Sequence, residues 1–526
     1  MTADPKASGD LAASLARTRK SYDETPYVSV PLQHAHPGRL AAAALWHGLA
    51  APDVATARVL EVGCASGGHI LPLAAALPGA RFLGVDLSPV QIAAGEARRQ
   101  RLALANVELR AGSFEAIDEA DGAFDYIVCH GVYSWIPESL REALLRMIRD
   151  RLSPNGVAMV SFNVLPGWRL FQIARDAMLM HARLVEDPAL RLAGVGELFE
   201  RLARESRNTN SYGKFWRDEA RRMARGGEAY WAHEIFEDSN APETFVGFCD
   251  RLSAFGLSYL SECVLSANCE DTIAADGAES IRALARGDRM ARETYIDIFS
   301  GRSFREAALV SAARVGDFRD EPTAEALSQL HFLPDLKLEL HTDPVEPEVF
   351  HLTDGDSDLG FRGAAVAEAM RGFVARRPGS ARIADLASSV GSELRAAILE
   401  TLKAAVELGL AAVSTTPVRC STRLAERSKI WPVAASDAAE GDATANLRHA
   451  PVRLDPFQRF LAPMLDGTRR RSDLIESALD QVRRGALTVN GPDGPIVDAA
   501  HLRAKLGDAT DRALAGLLRN ALLVES

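Results

Sequence analysis

The sequence predicts an α/β fold in which a mostly parallel sheet carries helical insertions and is followed by mainly helical modules. Three observations carry this reading. Short apolar runs at 58–62, 81–86, 106–110, 124–129 and 156–162 alternate with Ala-, Leu- and Arg-rich segments of helical period, the rhythm of parallel βαβ units. The runs are apolar almost throughout and end on polar tips, as in Arg81-Phe82-Leu83-Gly84-Val85-Asp86, which suits strands covered by helices on both faces. From Trp168 to about Ala232 such runs disappear, and Arg, Glu, Leu and Met dominate as in helices.

A chain of 526 residues exceeds what one hydrophobic core organises and implies about three domains. With 47% hydrophobic and 25% charged residues the composition is that of an ordinary globular protein. A net charge of -11 argues against a strongly electrostatic nucleic-acid binder. Cysteines at 64, 129, 249, 263, 269 and 420 form no CxxC pair or zinc spacing, so free thiols are expected. Neither a signal-like amino terminus nor an apolar stretch long enough to span a bilayer is present, and a cytoplasmic protein is expected.

Taken in order, residues 1–20 are small, polar and weakly helical, and are expected to form a flexible terminus without chemistry. Residues 21–169 form the ligand-binding core. Residues 170–315 comprise a helical insertion at about 170–240, a helix at 243–255, and strands at 256–261 and 304–310 separated by helices at 278–301. Those two strands complete the sheet. Insertions at this edge of a sheet commonly serve as lids or substrate platforms. The Pro- and acid-rich segment 342–348 reads as a linker. Residues 345–420, with helices at 362–376 and 393–409 and a strand at 411–413, suggest a winged-helix-like domain. Residues 421–446 read as an irregular connector. Helices at 455–465, 471–484 and 507–520, with a hairpin near 487–492, suggest a second winged-helix-like domain over 445–526.

The chemistry concentrates at Glu61-Val62-Gly63-Cys64-Ala65-Ser66-Gly67, between the first strand and a helical segment. Gly63 and Gly67 allow a sharp turn and close approach of a ligand to the backbone. Roughly 25 residues beyond Glu61, Asp86 ends the second strand, followed by Leu87, at the spacing where an acid meets ribose hydroxyls in nucleotide-binding βαβ units. A helix-capping role is the competing reading of Asp86, because Ser88-Pro89 follows. Ala65 stands where the dinucleotide fingerprint has its phosphate-admitting glycine, so the cofactor should lack phosphates. S-adenosylmethionine meets these requirements. Gly112, Ser113 and Phe114 after the third strand should border its adenine, and His130 lies at the tip of the fourth. A simple turn is the competing role for Ser113.

These residues resemble the class I S-adenosylmethionine methyltransferases with their Rossmann-like sheet. Ser21-Tyr22-Asp23-Glu24-Thr25-Pro26-Tyr27, His36-Pro37, the glycine loop through Gly68, His130 to Pro137 and Asn163 to Trp168 are further similar to bacterial protein lysine methyltransferases that modify surface proteins. Members of that family carry a methyltransferase regulatory domain, which the resemblance places at His233-Glu234, Asn240-Ala241-Pro242, Gly256 to Leu260 and Tyr295 to Arg305. Leu465-Asp466-Gly467-Thr468-Arg469 is similar to the family's carboxyl-terminal winged helix. Two positions depart from the pattern: Ser113 replaces an acid that often meets the adenine amino group, and Phe255 replaces a frequent histidine.

Methyl transfer from a sulfonium is an in-line displacement, so the acceptor must be oriented. A lysine acceptor must also lose its proton, which an aromatic, desolvated channel favours. Tyr133, Trp135 and Trp168 are expected to line that channel, with His130 or Asn163 as hydrogen-bonding or proton-accepting groups. Packing beneath a lid is the competing role for the aromatics. Tyr22, with Tyr27, should close over the cofactor. His34 and His36 lack a nearby acid and suggest no metal site. The expected activity is methylation of protein lysine. A small-molecule methyltransferase, or a non-catalytic cofactor-sensing protein with winged-helix modules, remains the alternative.

Overall fold

The computed structural model describes residues 5–187, 190–206, 210–223, 233–237, 239–272, 275–388, 390–491, 494–496 and 498–525. Its centre is a sheet of strands β1 (Arg58–Val62), β2 (Arg81–Asp86), β3 (Val107–Ala111), β4 (Phe124–Cys129), β5 (Leu152–Leu165), β6 (Glu243–Thr244), β7 (Leu257–Glu262) and β8 (Phe304–Ser311). The order is β3-β2-β1-β4-β5-β8-β7, with β6 paired to the end of β5. Strands β1 to β5 run parallel, and β8 is antiparallel to both β5 and β7. The strand order reverses between β1 and β4, and a crevice opens there at the carboxyl ends, where sheets of this kind bind ligands.

Alternation along each strand divides the core in two. Leu60, Ile127 and Phe162 face one layer with Leu144 and Phe248, whereas Val59, Tyr126 and Met159 face the other with Leu40, Ile70 and Leu71. Glycine is required where the layers touch most closely. A β-carbon on Gly84 would lie 2.9 Å from both Cys64 and Leu109 side chains.

The insertion after β5 forms helices Trp168–Leu184, Arg191–Glu205 and Ser211–Met223, packed around a core of their own that includes Trp168, Phe171, Phe199 and Trp216. A second helical pair, Ala275–Ala285 and Arg289–Ser300, separates β7 from β8. Both insertions lie where the sequence pattern places them.

Three expectations are overturned. The weak helical tendency of the terminal segment is realised within Pro5–Glu24, but the segment is not remote from the site: Leu15 and Thr18 line the crevice. The Pro- and acid-rich segment is no linker but the turn between Glu339–Thr342 and Val349–Thr353, held by Val345 and Glu346 amides on Asp343 Oδ1. The surrounding module begins earlier: strand His331–Pro334 pairs with Ala411–Ser414, and its core runs from Leu327 to Val413. The third is the supposed connector at 421–446, which contains helix Pro432–Glu440 and a buried Trp431 whose indole donates to the Ala445 carbonyl. Its alanines and Pro432 at the first helical position favour a helix, but nine residues are too few to hold one alone, so packing in the carboxyl-terminal core decides it.

The carboxyl-terminal module, completed by helices Arg471–Arg483 and Ala499–Arg519, docks on helices Ile70–Ala76 and Pro89–Arg101, which cover one face of the sheet. Arg98 grips Asp437 through two hydrogen bonds of 3.0 and 2.8 Å, and His449 Nε2 lies 2.7 Å from His69 Nδ1. Among the described residues, no helix is long and apolar enough to cross a membrane.

Between β7, β8 and the second insertion, Arg305 is fully buried. It bonds Glu262 at 2.6 Å, Glu293 at 3.1 Å and Asp297 at 2.8 Å, and stacks 4.0 Å from the Phe245 ring. Three carboxylates share one guanidinium, and removing it strands them. Arg305→Ala is expected to cost about 3–5 kcal/mol of stability, read as a lower Tm and early loss of protection in helix Arg289–Ser300 by hydrogen exchange.

Candidate active site

The glycine loop follows β1 directly. Gly63 has φ 76°, and a β-carbon there would meet Val132 at 2.6 Å. Ala65 also adopts a left-handed φ of 46°, a conformation that costs a non-glycine residue about 1–2 kcal/mol. Asp86 holds it: Asp86 Oδ2 accepts the Ala65 amide at 2.8 Å while Oδ1 accepts the Ser88 amide at 2.9 Å. Ser88 caps the helix Pro89–Arg101 and donates to Asp23 Oδ1 at 2.6 Å, tying the amino-terminal helix to the same point. The segment 27–30 then crosses the loop, with the Gly68 amide donating to Ser29 Oγ at 2.7 Å. A β-carbon on Gly68 would lie 2.3 Å from the Ser29 backbone.

Beneath this strap lies a cavity of about 510 Å³. Tyr22, Glu61, Gly63, Cys64, Ala65, Asp86, Leu87, Gly112, Ser113, Phe114 and His130 all line it. Gly67 is the exception among the expected cofactor residues. Its φ of 74° and amide bond to the Cys64 carbonyl make it the turn that starts the next helix. Of the expected acceptor residues, Trp135, Trp168, Asn163 and His130 line the cavity and Tyr133 does not. Tyr133 is fully buried against Phe162 and Phe248, and its hydroxyl donates to Glu243 at 2.9 Å. The turn Tyr133–Trp135 sends these two aromatics in different directions, a distinction that their adjacent positions after β4 do not reveal.

Tyr22 stacks on His233 at 4.3 Å, and Tyr27 borders the same opening. His233 has both nitrogens engaged, Nε2 with the Thr25 carbonyl at 2.7 Å and Nδ1 with Glu237 at 3.3 Å, so it holds the strap in place. The Trp135 and Trp168 rings meet edge to face at 6.4 Å, and the Trp168 indole donates to Asn240 at 2.9 Å.

Several polar atoms in this wall are buried without a hydrogen-bond partner among the described residues: Glu61 Oε2, Asn163 Nδ2 and Glu234 Oε2. Native proteins rarely leave such atoms unpaired, and at the wall of a cavity they point to a ligand. Burial, then the charge of Asp86, pushes Glu61 well above the usual carboxylate range. Burial likewise raises Asp86, opposed by its two amide bonds. Burial raises Glu234 to about 7, held down in part by Arg222, His233 and Arg175. Burial pushes His130 down to about 4, which leaves a neutral imidazole better suited to hydrogen bonding than to proton uptake. The sequence offers His233 and Glu234 as contributors from the insertion but favours helix-core packing for them, whereas both line the cavity; Arg222 carries no sequence signal as a wall residue because it reaches the cavity from an inserted helix.

A sheet of this order, a glycine loop, an acid at the end of β2 and a cavity at the point where the strand order reverses define the fold of a class I methyltransferase. Models of known families agree. A methyltransferase domain matches residues 59–156, a "predicted methyltransferase regulatory domain" matches 227–311, and the "PKMT, C-terminal winged helix domain" matches 426–522. The uncharacterized protein RP028 of Rickettsia prowazekii is 34% identical over 239 residues, covering 45% of this chain and 96% of that protein. RP789 of the same organism, also uncharacterized, is 27% identical over 518 residues, 96% of this chain and 93% of its own. The structure of PKMT2 from Rickettsia typhi in complex with AdoHcy superposes with a TM-score of 0.83 at 24% identity, covering 95% of this chain and all of that one, which shows the shared fold. The chain belongs to the S-adenosylmethionine-dependent methyltransferases that carry a regulatory domain and a PKMT-type carboxyl-terminal winged helix.

A carboxyl whose pKa is raised by folding favours the fold below its unfolded pKa and loses that contribution as pH rises through the folded value. Glu61→Gln is therefore expected to stabilise the ligand-free protein at pH 8, on the order of 1–3 kcal/mol for a buried polar group left unpaired, with little gain near pH 4. Thermal unfolding across that range checks it; a pH-independent difference would refute the assignment.

Proposed function

We propose that this enzyme transfers a methyl group from S-adenosylmethionine to a lysine side chain of a protein. The observation that carries the reading is one continuous cavity. It runs from the glycine loop past Trp135 and Trp168 to Glu234, a half-buried carboxylate with an unpartnered oxygen. The chain's own residues suit the donor. Gly63 brings the backbone close, Asp86 retains lone pairs for ribose hydroxyls beyond its two amide bonds, and Glu61 offers a free oxygen. When bound, S-adenosylmethionine supplies a methyl carbon on a sulfonium, open to in-line attack by a lone pair.

Trp135 and Trp168 form the aromatic wall that orients a long alkylammonium and excludes water from it. Asn163, with a free amide donor or acceptor, can fix the amine beside them. Glu234 can take the ammonium proton onto Oε2, leaving the nitrogen lone pair for attack. Trp168, Arg222, His233 and Glu234 all lie beyond the fifth strand, so the insertion and regulatory region shape the acceptor side of the site. That the related PKMT2 carries a protein lysine methyltransferase designation and was solved with AdoHcy supports the same assignment. A cytoplasmic setting accords with six free cysteines.

Asp86→Ala is expected to weaken S-adenosylmethionine binding about 10- to 100-fold, the loss of one or two charge-assisted hydrogen bonds; unchanged affinity by calorimetry would overturn the ribose assignment. Glu234 is ionised above about pH 7, so methylation should rise through that pH. Glu234→Gln should remove this limb and lower kcat about 100-fold, and a retained limb would exclude Glu234 as the proton acceptor. Incubation with labelled donor and a bacterial lysate, followed by mass spectrometry, should yield methylated lysine in protein. Label confined to small molecules would sink the lysine assignment.

A further inference from the structure

Behind the part of the wall made by His130, three ligand-type side chains from distant parts of the chain converge. His34 belongs to the short turn Gln33–Ala35, His130 follows β4 and Glu306 lies on β8. One donor atom from each falls within 4.8 Å of the other two. The sequence reading set His34 aside for want of an acid nearby, and β8 supplies that acid. His36 is differently employed: its Nδ1 accepts the Gly38 amide at 2.9 Å and caps the helix Pro37–Trp46.

The bonding inside the cluster is incomplete. His34 Nε2 lies 2.9 Å from Glu306 Oε1, yet the approach is out of line for a hydrogen bond, and this nitrogen is buried without one. His130 Nδ1 is also buried without a hydrogen bond among the described residues. The rings of His34 and His130 stand 5.5 Å apart, tilted by 42°. Donor atoms this close but unaligned are what two ligands of one cation show. Bonds of about 2.0–2.2 Å in a tetrahedral site place neighbouring ligand atoms roughly 3.3–3.6 Å apart. The 2.9 Å pair has to part by about half an ångström and the third ligand to move inward by less than about 2 Å, both within the reach of side-chain rotation.

We propose that His34, His130 and Glu306 bind a single divalent first-row transition ion of the zinc class. Two imidazoles and a carboxylate suit such ions better than magnesium or calcium, which prefer all-oxygen sites. The ion would join the segment before the first buried helix to β4 and β8, and so fix the wall that His130 presents to the methyl-donor cavity. Supporting bonds are in place around it: the Gly131 amide donates to Ser161 Oγ at 2.8 Å, and the Glu306 amide to Glu262 at 2.9 Å. The cluster of His341, His351 and Asp358 at the surface is a weaker competitor. There His351 already spends both nitrogens, on Asp358 at 2.7 Å and Asp343 at 3.3 Å.

The test uses the full chain stripped with a chelator, titrated with Zn²⁺ by calorimetry and with Co²⁺ followed by visible absorption. One equivalent of each should bind, and Co²⁺ should show ligand-field bands of a nitrogen- and oxygen-ligated ion. His34→Ala and Glu306→Gln should each weaken Zn²⁺ binding at least about 100-fold, with His351→Ala unchanged. Glu306→Gln preserves shape, so it decides the matter if His34→Ala fails to fold. No stoichiometric uptake by the parent chain, or parent-like affinity and Co²⁺ spectrum in Glu306→Gln, would overturn the proposal. Neither outcome bears on the lysine assignment, because the readout is metal alone.

Discussion

Asp86 is the point on which the site depends. Its two oxygens hold the glycine loop at Ala65 and the start of the next helix at Ser88, and Ser88 passes the connection to Asp23 on the amino-terminal helix. Ala65 in a left-handed conformation is unfavourable by itself, and the Asp86 bond offsets that strain. Because the loop, the helix and the strap share one carboxylate, the shape of the donor end of the cavity follows from a single buried acid. The competing readings of Asp86, a structural clamp and a ribose ligand, are compatible, since a carboxylate has lone pairs for both.

Two sets of buried polar groups contrast. Arg305 and its three carboxylates satisfy one another, and the result stiffens the far edge of the sheet. Glu61, Asn163 and Glu234 each keep one buried atom without a partner among the described residues, and all three residues line the cavity. Desolvation without a partner is costly unless a ligand supplies the missing bond. The contrast separates groups that hold the fold from groups held ready by it.

The proposed acceptor side draws Trp135 and Asn163 from the sheet and its loops, and Trp168 and Glu234 from the insertion. Trp168 starts the first inserted helix and Glu234 lies in its last described turn, so both depend on a small core centred on Phe171, Phe199 and Trp216. The sheet core and the insertion core therefore meet at the cavity.

The sequence by itself determined the parallel sheet, the position of both insertions and the glycine loop, and eleven of the twelve residues it offers for the cofactor line one cavity. These are local: a strand buried on both faces must be apolar along its whole length, and a loop that turns before a helix needs glycine where φ is positive. Tertiary structure alone decided the rest. Tyr133 and Trp135 are two residues apart, and only the packing of the helix Phe245–Ala254 sends the first into the core and leaves the second at the cavity. Helix Pro432–Glu440 forms because Trp431 and its neighbours find a core; its nine residues are too short to be stable on propensity alone. Glu234 enters the donor cavity and Glu306 reaches His34 across long stretches of chain, and no pattern within a short window encodes such a meeting.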